Sequence, residues 1–238
     1  MKFWYDWDFA GAESEFRCAI KLDPDYATAH HWYGESLGLM GRFDDGFKEL
    51  RLAQQIEPLS PVINTDLGKL HLFARQPDQA IERLQMMLES DPNFPLAHLF
   101  LAMAYSQRGL RDQAISELEK WANSPGSRTI FKAVLGFVYA QAGRRAEATS
   151  ILDELNERRS SKQFVSPFEI ALIYTGLGEK DQAFEWLEKA KTERDPFLIY
   201  IKTDPNFDSL RGDPRFDSLL HQVGLAAGSV ALKSADKN

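Results

Sequence analysis

Residues 129–152 read TIFKAVLGFVYAQAGRRAEATSIL, with Gly136 between Leu135 and Tyr139, a glycine turn at Gly143, and then Ala148 and Leu152. These offsets recur along the chain. Gly34, Gly68 and Gly136 lie 34 or twice 34 residues apart, with Ala102 in the intervening step. Pro24, Pro58 and Pro92 keep the interval, as do Gly46, Ala80, Ala114 and Ala148, followed by Ala183 after a one-residue insertion. Gly41, Gly109, Gly143 and Gly178 form another column, in which Arg75 takes one glycine's place. A period held in several independent columns marks an array of structural repeats.

Within each period the pattern is helical. Ala27, Pro61, Pro95, Thr129 and Phe164 are taken as position 1 of successive repeats. Large residues then occupy positions 4, 7 and 11: His30, Tyr33 and Leu37; Asn64, Leu67 and His71; His98, Leu101 and Tyr105; Lys132, Leu135 and Tyr139. Together with position 8, always Gly or Ala, they share one stripe of a 3.6-residue helix. A small residue there lets a second backbone approach closely. Position 20 is equally small and opens a second stripe that continues at Leu50, Leu84, Leu118, Leu152 and Leu187. LMGRF, SQRGL, QAGRR and GLGEK supply turns with a left-handed glycine cap, and the Asp-Pro of KLDPDY and ESDPNF separates repeats. The expectation is an all-α protein of paired helices.

KAVLGFVY, followed by the small residue Ala148 and the large Leu152, resembles the tetratricopeptide repeat (TPR) signature W-x2-L-G-x2-Y…A-x3-F…P. The resemblance runs over residues 8–192. His30, Asn64, His98 and Lys132 stand in the tryptophan position, and the first two repeats lack the tyrosine. It implies a TPR-type α-solenoid of antiparallel helix pairs with a C-terminal capping segment. The register divides the chain into a partial repeat at 1–24 with only its second helix, five repeats at 25–195, a helical cap at 196–224 and a disordered tail at 225–238. The whole segment, including PFLIYIKTDPNFDSLRGDPRFDSLL, is similar to the C-terminal TPR segment of bacterial multidomain regulators. In the cap, Asp204 and Asp213 are expected to cap helix N-termini with Pro205 and Pro214 behind them.

Composition is that of a soluble globular chain: 238 residues, 44% hydrophobic, 26% charged, formal net charge −7. This acidic balance supplies no field for nucleic acid or an anionic membrane. No apolar run reaches the roughly 18–20 residues of a membrane span, and MKFWYDWDFAG is no secretory leader. One cysteine, Cys18, excludes an internal disulfide and fits a reducing compartment, so the expected location is cytoplasmic. Cys18 adjoins an inward position and is read as packing. There is no phosphate loop. Adjacent His30 and His31 point about 100° apart on a helix and cannot easily share a metal ion. His30, His71 and His98 instead fill the large-residue stripe. With no catalytic triad, cofactor motif or metal-ligand cluster, the expectation is a protein that is not an enzyme.

In the arrays this chain resembles, a second stripe on each first helix lines a concave groove that holds peptides. Positions 5, 9 and 12, with 13 beside them, give the expected peptide-binding residues: His31, Glu35 and Leu39; Thr65, Lys69 and Phe73; Leu99, Met103 and Gln107; Phe137 and Gln141; Phe168 and Leu172. Chaperone-tail-binding members place Lys then Asn at positions 5 and 9 to clamp a carboxylate. Here those positions hold His31 and Glu35, or Thr65 and Lys69, and Glu35 would repel an acid. The expected function is a non-enzymatic scaffold for a protein or peptide partner. The alternative is a self-associating or sensory arm of a longer regulator.

At the N-terminus, residues 8–22 carry an apolar stripe of Phe9, Ala12, Phe16 and Ala19 with no complete first helix to cover it. Either Phe3, Trp4, Tyr5 and Trp7 fold back over the stripe, or a second copy covers it. A homodimer through this partial repeat is the expectation, because identical patches can cover each other across a two-fold axis.

Overall fold

The computed structural model describes residues 2–124 and 126–226, which contain helices and no strand. A π-helical turn, Lys2–Asp6, precedes α1 (Phe9–Leu22). Five antiparallel pairs follow: α2 (Ala27–Leu39) with α3 (Phe43–Ile56), α4 (Pro61–Phe73) with α5 (Pro77–Ser90), and α6 (Pro95–Gln107) with α7 (Arg111–Ala122). The last two are α8 (Thr129–Gln141) with α9 (Arg145–Ser160), and α10 (Pro167–Leu177) with α11 (Lys180–Thr192). Two 3-10 segments, Pro196–Lys202 and Pro205–Leu210, then lead to α12 (Pro214–Gln222).

The recurring columns have direct structural causes. Gly41, Gly109, Gly143 and Gly178 end the first helix of their repeats with φ between 76° and 82°, and Arg75 takes the same left-handed conformation at 62°. Close approach explains the small positions: a Cβ on Gly34 would lie 2.9 Å from the Leu50 amide nitrogen and 3.0 Å from the Gly46 carbonyl oxygen. Ala80, Ala114, Ala148 and Ala183 are fully buried.

The tryptophan position has become a polar clamp. His30 sets Nδ1 2.6 Å from Glu49 and Nε2 2.9 Å from the Pro24 carbonyl. One period apart twice over, His98 repeats the arrangement with Glu117 at 2.7 Å and the Pro92 carbonyl at 2.9 Å. Asn64 donates to the Pro58 carbonyl and accepts from Gln54. The histidine clamps tie the first helix of a repeat to its own second helix and to the incoming loop, whereas Asn64 ties α4 to that loop and to α3 of the preceding repeat. Burial disfavours a charged His98, but the bonds to Glu117 and Pro92 outweigh it and raise the pKa above the usual value.

Both ends of the array are covered by the chain itself. Phe3 is 1% exposed and meets Trp4 and Phe9 edge-on at 5.0 Å, while Trp4 meets Trp32 at 5.2 Å. Phe9 and Ala12 are thereby buried, and Phe16 stacks on Tyr33 at 5.9 Å. The N-terminal turn thus folds back over the Phe9 and Ala12 part of the stripe, while Phe16 and Ala19 stay half-buried. Cys18 is exposed on α1 rather than packed, a correction to its inward reading. At the other end, Asp204 and Asp213 accept from the Asn206 and Arg215 amides at 2.9 and 3.0 Å, as their Asp-Pro spacing predicts. Asp195 does the same for Phe197 at 2.9 Å. Leu225 and Ala226 are buried, so order extends past the expected start of the tail at 225. The rest of that expected tail, 227–238, lies outside the described residues.

The two ends also meet. Arg194 lies 4.6 Å over the Trp7 ring, and a Cβ on Gly224 would sit 3.5 Å from Phe9. Between them the strap formed by residues 196–210 crosses the inner side of the first helices. Arg75 holds it by donating to the Thr203 carbonyl at 2.6 Å and to Asp208 at 2.9 Å.

Candidate functional site: the concave cavity

The inner sides of the first helices and the strap enclose a cavity of about 660 Å³. Its wall follows positions 2, 6, 9 and 13 of the repeats. Trp32 and Glu35 come from α2, and Val62, Asp66, Lys69 and Phe73 from α4. Leu96, Phe100 and Met103 come from α6, Ile130 and Val134 from α8, and Leu172 from α10. Those offsets of four, three and four residues keep one face of a helix. Leu99 and Phe168, at position 5, reach the cavity from the side. The strap adds Phe197, Tyr200 and Asp204; Trp4 and Tyr5 of the N-terminal turn contribute to the wall, as does Arg128. Trp32, Val62 and Tyr5 are 39–52% exposed and form the open rim, whereas Leu99, Met103, Val134 and Leu172 are buried.

One side of this apolar chamber carries a buried knot of charges. Lys69 Nζ donates to Glu35 Oε1 and lies 2.7 Å from Asp66 Oδ1, while His31 Nε2 lies 2.6 Å from Asp66 Oδ2. The Tyr200 hydroxyl donates to Glu35 Oε1 at 3.4 Å. Lys69 also lies over the Phe100 and Tyr200 rings at 5.4 and 5.9 Å. Burial opposes both charges of the Lys69–Asp66 pair, but the partners outweigh it. The ammonium is held well above its ordinary pKa and the carboxylate below its own. Burial drives the Tyr200 phenol up. It pushes the Asp204 and Glu169 carboxyls up to about 7. Buried ions of this kind are tolerated only when paired, and removing one partner of such a pair costs about 3–5 kcal/mol.

Of the residues expected to face a ligand, the structure brings Glu35, Lys69, Phe73, Leu99, Met103, Phe168 and Leu172 to one cavity. The others lie elsewhere. His31 is buried behind Asp66, with its ring 4.8 Å from Trp32. Leu39 and Thr65 are 1% exposed and belong to the packed interior, the Thr65 hydroxyl without a partner. Phe137 packs against α10, where a Cβ on Gly176 would come within 2.9 Å of its ring. Gln107 is half-buried with its carbonyl oxygen unpaired, and Gln141 is exposed with its amide 3.5 Å from the Gly176 carbonyl. Residues missed by sequence reasoning fall into two groups. Trp32, Val62, Asp66, Leu96, Phe100, Ile130 and Val134 sit at positions 2 and 6, a periodic signal open to a different choice of stripe. Tyr200, Phe197 and Asp204 come from the strap, and no repeat signal points to them.

Among the described residues, no group of three His, Cys, Asp or Glu side chains is placed to hold a metal ion. No helix among them is long and apolar enough to cross a membrane.

Profiles described as Tetratricopeptide repeat match residues 39–104, 71–129, 131–154 and 168–194, together more than half of the chain. A comparison with curated protein sequences gives no match. Among solved structures, a tetratricopeptide repeat protein from Parabacteroides merdae aligns with a TM-score of 0.65 at 13% identity, over 84% of this chain and 78% of its own. PilW, a type IV pilus biogenesis factor, aligns at 0.59 and 18% identity over 86% and 91%. A thermophilic TPR protein of Thermus thermophilus aligns at 0.57 and 20% identity over 82% and 99%. At these identities the likeness speaks for the fold. The helix pairs, the glycine and alanine columns and the profile matches coincide on the same residues, and the chain belongs to the tetratricopeptide repeat family of α-solenoid protein-interaction scaffolds.

Proposed function

We propose that the protein binds a partner protein by seating apolar side chains of a short segment in the concave cavity. The supporting observation is the cavity itself: about 660 Å³, within the range of sites that enclose ligands, and walled mainly by aliphatic and aromatic side chains. The strap occupies part of the inner face, so recognition falls on inserted side chains rather than on a long helix laid along the whole stripe. Anchors in such pockets carry most of the binding energy of an interface. Selection of a random twelve-residue peptide library against the protein tests this reading. Met103→Trp, which adds bulk to the wall, is expected to weaken selected peptides at least about tenfold while circular dichroism stays helical. Selected peptides that bind Met103→Trp, Phe73→Ala and Phe168→Ala unchanged place the interaction elsewhere.

A further inference from the structure

We infer that the segment seated in the cavity carries a positively charged group, an amine or guanidinium flanked by apolar side chains, that docks against Glu35. This rests on the reading of the cavity as the binding site and adds the chemistry of its occupant.

The charges of the wall are unequal. Three carboxyl groups, Glu35, Asp66 and Asp204, line the cavity, against the single buried ammonium of Lys69. Arg128 is the other cation of the wall, and it is exposed. Asp66 is saturated: one oxygen meets Lys69, the other His31. Glu35 is not. Lys69 and the Tyr200 hydroxyl both engage Oε1, while Oε2 is buried without a hydrogen-bond partner. A buried carboxylate oxygen left unpaired carries an uncompensated desolvation cost, and a donor brought to it removes that cost. An ionised donor does so most strongly, because charge-assisted bonds exceed neutral ones.

The surroundings favour the same sign. Lys69 already rests over Phe100 and Tyr200, and Phe73 meets Tyr200 edge-on at 5.9 Å. Aromatic faces in a dry site attract a second cation as they do the first. The Asp204 carboxyl, held up at about 7 by burial, would ionise more readily beside a cation. An acidic ligand meets the opposite situation, with unpaired carboxylate in the wall and the one ammonium already shared between two carboxylates.

Three probes with one alkyl chain isolate the charge: n-decylammonium, n-decanol and n-decanoate, each below its aggregation concentration, titrated into the full-length protein by calorimetry at neutral pH and low salt. Decylammonium is expected to bind at least about tenfold tighter than decanol, and decanoate weakest. Met103→Trp should block all three. Glu35→Gln should erase the preference for the cation over decanol. The order among the probes on the unaltered protein decides the question even if Glu35→Gln does not fold. If decanol binds and Met103→Trp blocks it, but decylammonium gains nothing, the charge inference is overturned and the cavity reading stands. If none of the three binds, or Met103→Trp blocks none of them, both fall.

Discussion

Replacing Arg75 by alanine and, separately, by glycine resolves two effects that the fold superposes at one residue. Arg75 stands in the column otherwise filled by left-handed glycines and adopts φ 62°. A residue with a Cβ in that region costs about 1–2 kcal/mol relative to the right-handed one, a cost glycine escapes. Its guanidinium meanwhile ties the turn between α4 and α5 to the strap. It donates to the Thr203 carbonyl at 2.6 Å and forms a two-point pair with Asp208 at 2.5 and 2.9 Å. The Asp208 pair is about two-fifths exposed on both sides and contributes at most about 1 kcal/mol. The bond to the carbonyl is part-buried and comes from a charged donor, a class that contributes about 1.5–3 kcal/mol. Arg75→Ala loses these contacts and keeps the backbone cost, so it should destabilise the strap by about 2–3 kcal/mol. Arg75→Gly loses the same contacts but recovers roughly 1 kcal/mol of backbone energy. The assay is amide hydrogen exchange resolved over residues 196–210, alongside urea unfolding of the whole chain. Strap protection should fall in both variants, and the glycine variant should be the more stable in urea. Unchanged strap protection in both would refute the assignment of Arg75 as the tie.

Gly34→Ala should destabilise more than Gly68→Ala, by roughly 1–3 kcal/mol in urea melts, since the new Cβ meets backbone of α3 at Gly34 but only the Leu84 side chain at Gly68. Equal costs would show that the helices simply move apart. Burial holds the Asp204 and Glu169 carboxyls at about 7 in the folded chain, while the unfolded chain releases both protons near about pH 4. Stability should therefore fall as pH rises between those values, the penalty being complete above about 7; Asp204→Asn with Glu169→Gln should flatten that slope, and an unaltered urea-midpoint profile would count against the assignment. Because Phe3 and Trp7 already cover Phe9 and Ala12, light scattering should find the chain monomeric at tens of micromolar, and a concentration-dependent dimer would restore the two-fold contact.

The repeats are legible in the sequence because close packing leaves room for no more than a methyl group at the same point of every period, against backbone at Gly34 and against side chains of neighbouring helices at Gly68 and Gly136. The binding stripe is only half legible. At positions 9 and 13, Glu35, Lys69, Met103, Leu172 and Phe73 do face the cavity, but pairing those positions with 5 and 12 rather than 2 and 6 turns the face by about 45° around the helix. That rotation puts His31 and Thr65 in the groove and leaves out Asp66, Phe100 and Val134, while Phe137, at the shared position 9, is turned aside by its packing against Gly176 of α10. Amphipathic patterning cannot correct it, because the first helices are apolar almost all round: α8 buries Ala133, Val134, Phe137 and Val138 alike. His30 and His98 read as core fillers because a histidine beside apolar residues looks like one. The glutamate and proline carbonyl that satisfy each ring lie 19 residues ahead and six behind. The strap is legible only as caps. Asp204-Pro205 marks a helix start, yet nothing local in it tells that Tyr200 will reach Glu35, 165 residues away.

That long-range closure changes what kind of repeat protein this is. In an open solenoid each repeat couples only to its neighbours, so stability is a sum of local terms and damage at one end stays there. Here Tyr200 meets Glu35, Arg75 meets Thr203 and Asp208, and Arg194 meets Trp7, three ties between the segment around the last repeat and the start of the array. Each tie closes a long loop, whose closure entropy is large but grows only slowly with length. The loop cannot open at one tie without weakening the others, so the first and last repeats share one fate. Overpacking α9 with Ala148→Trp, at a fully buried position, should therefore lower the hydrogen-exchange protection of α2 and α4 together with that of α8 and α10. In the Arg75→Ala background the same substitution should act on its neighbours alone. Protection that declines with distance from α9 in both backgrounds would show that the ties are too weak to couple the ends, and that the protein unfolds as an open array.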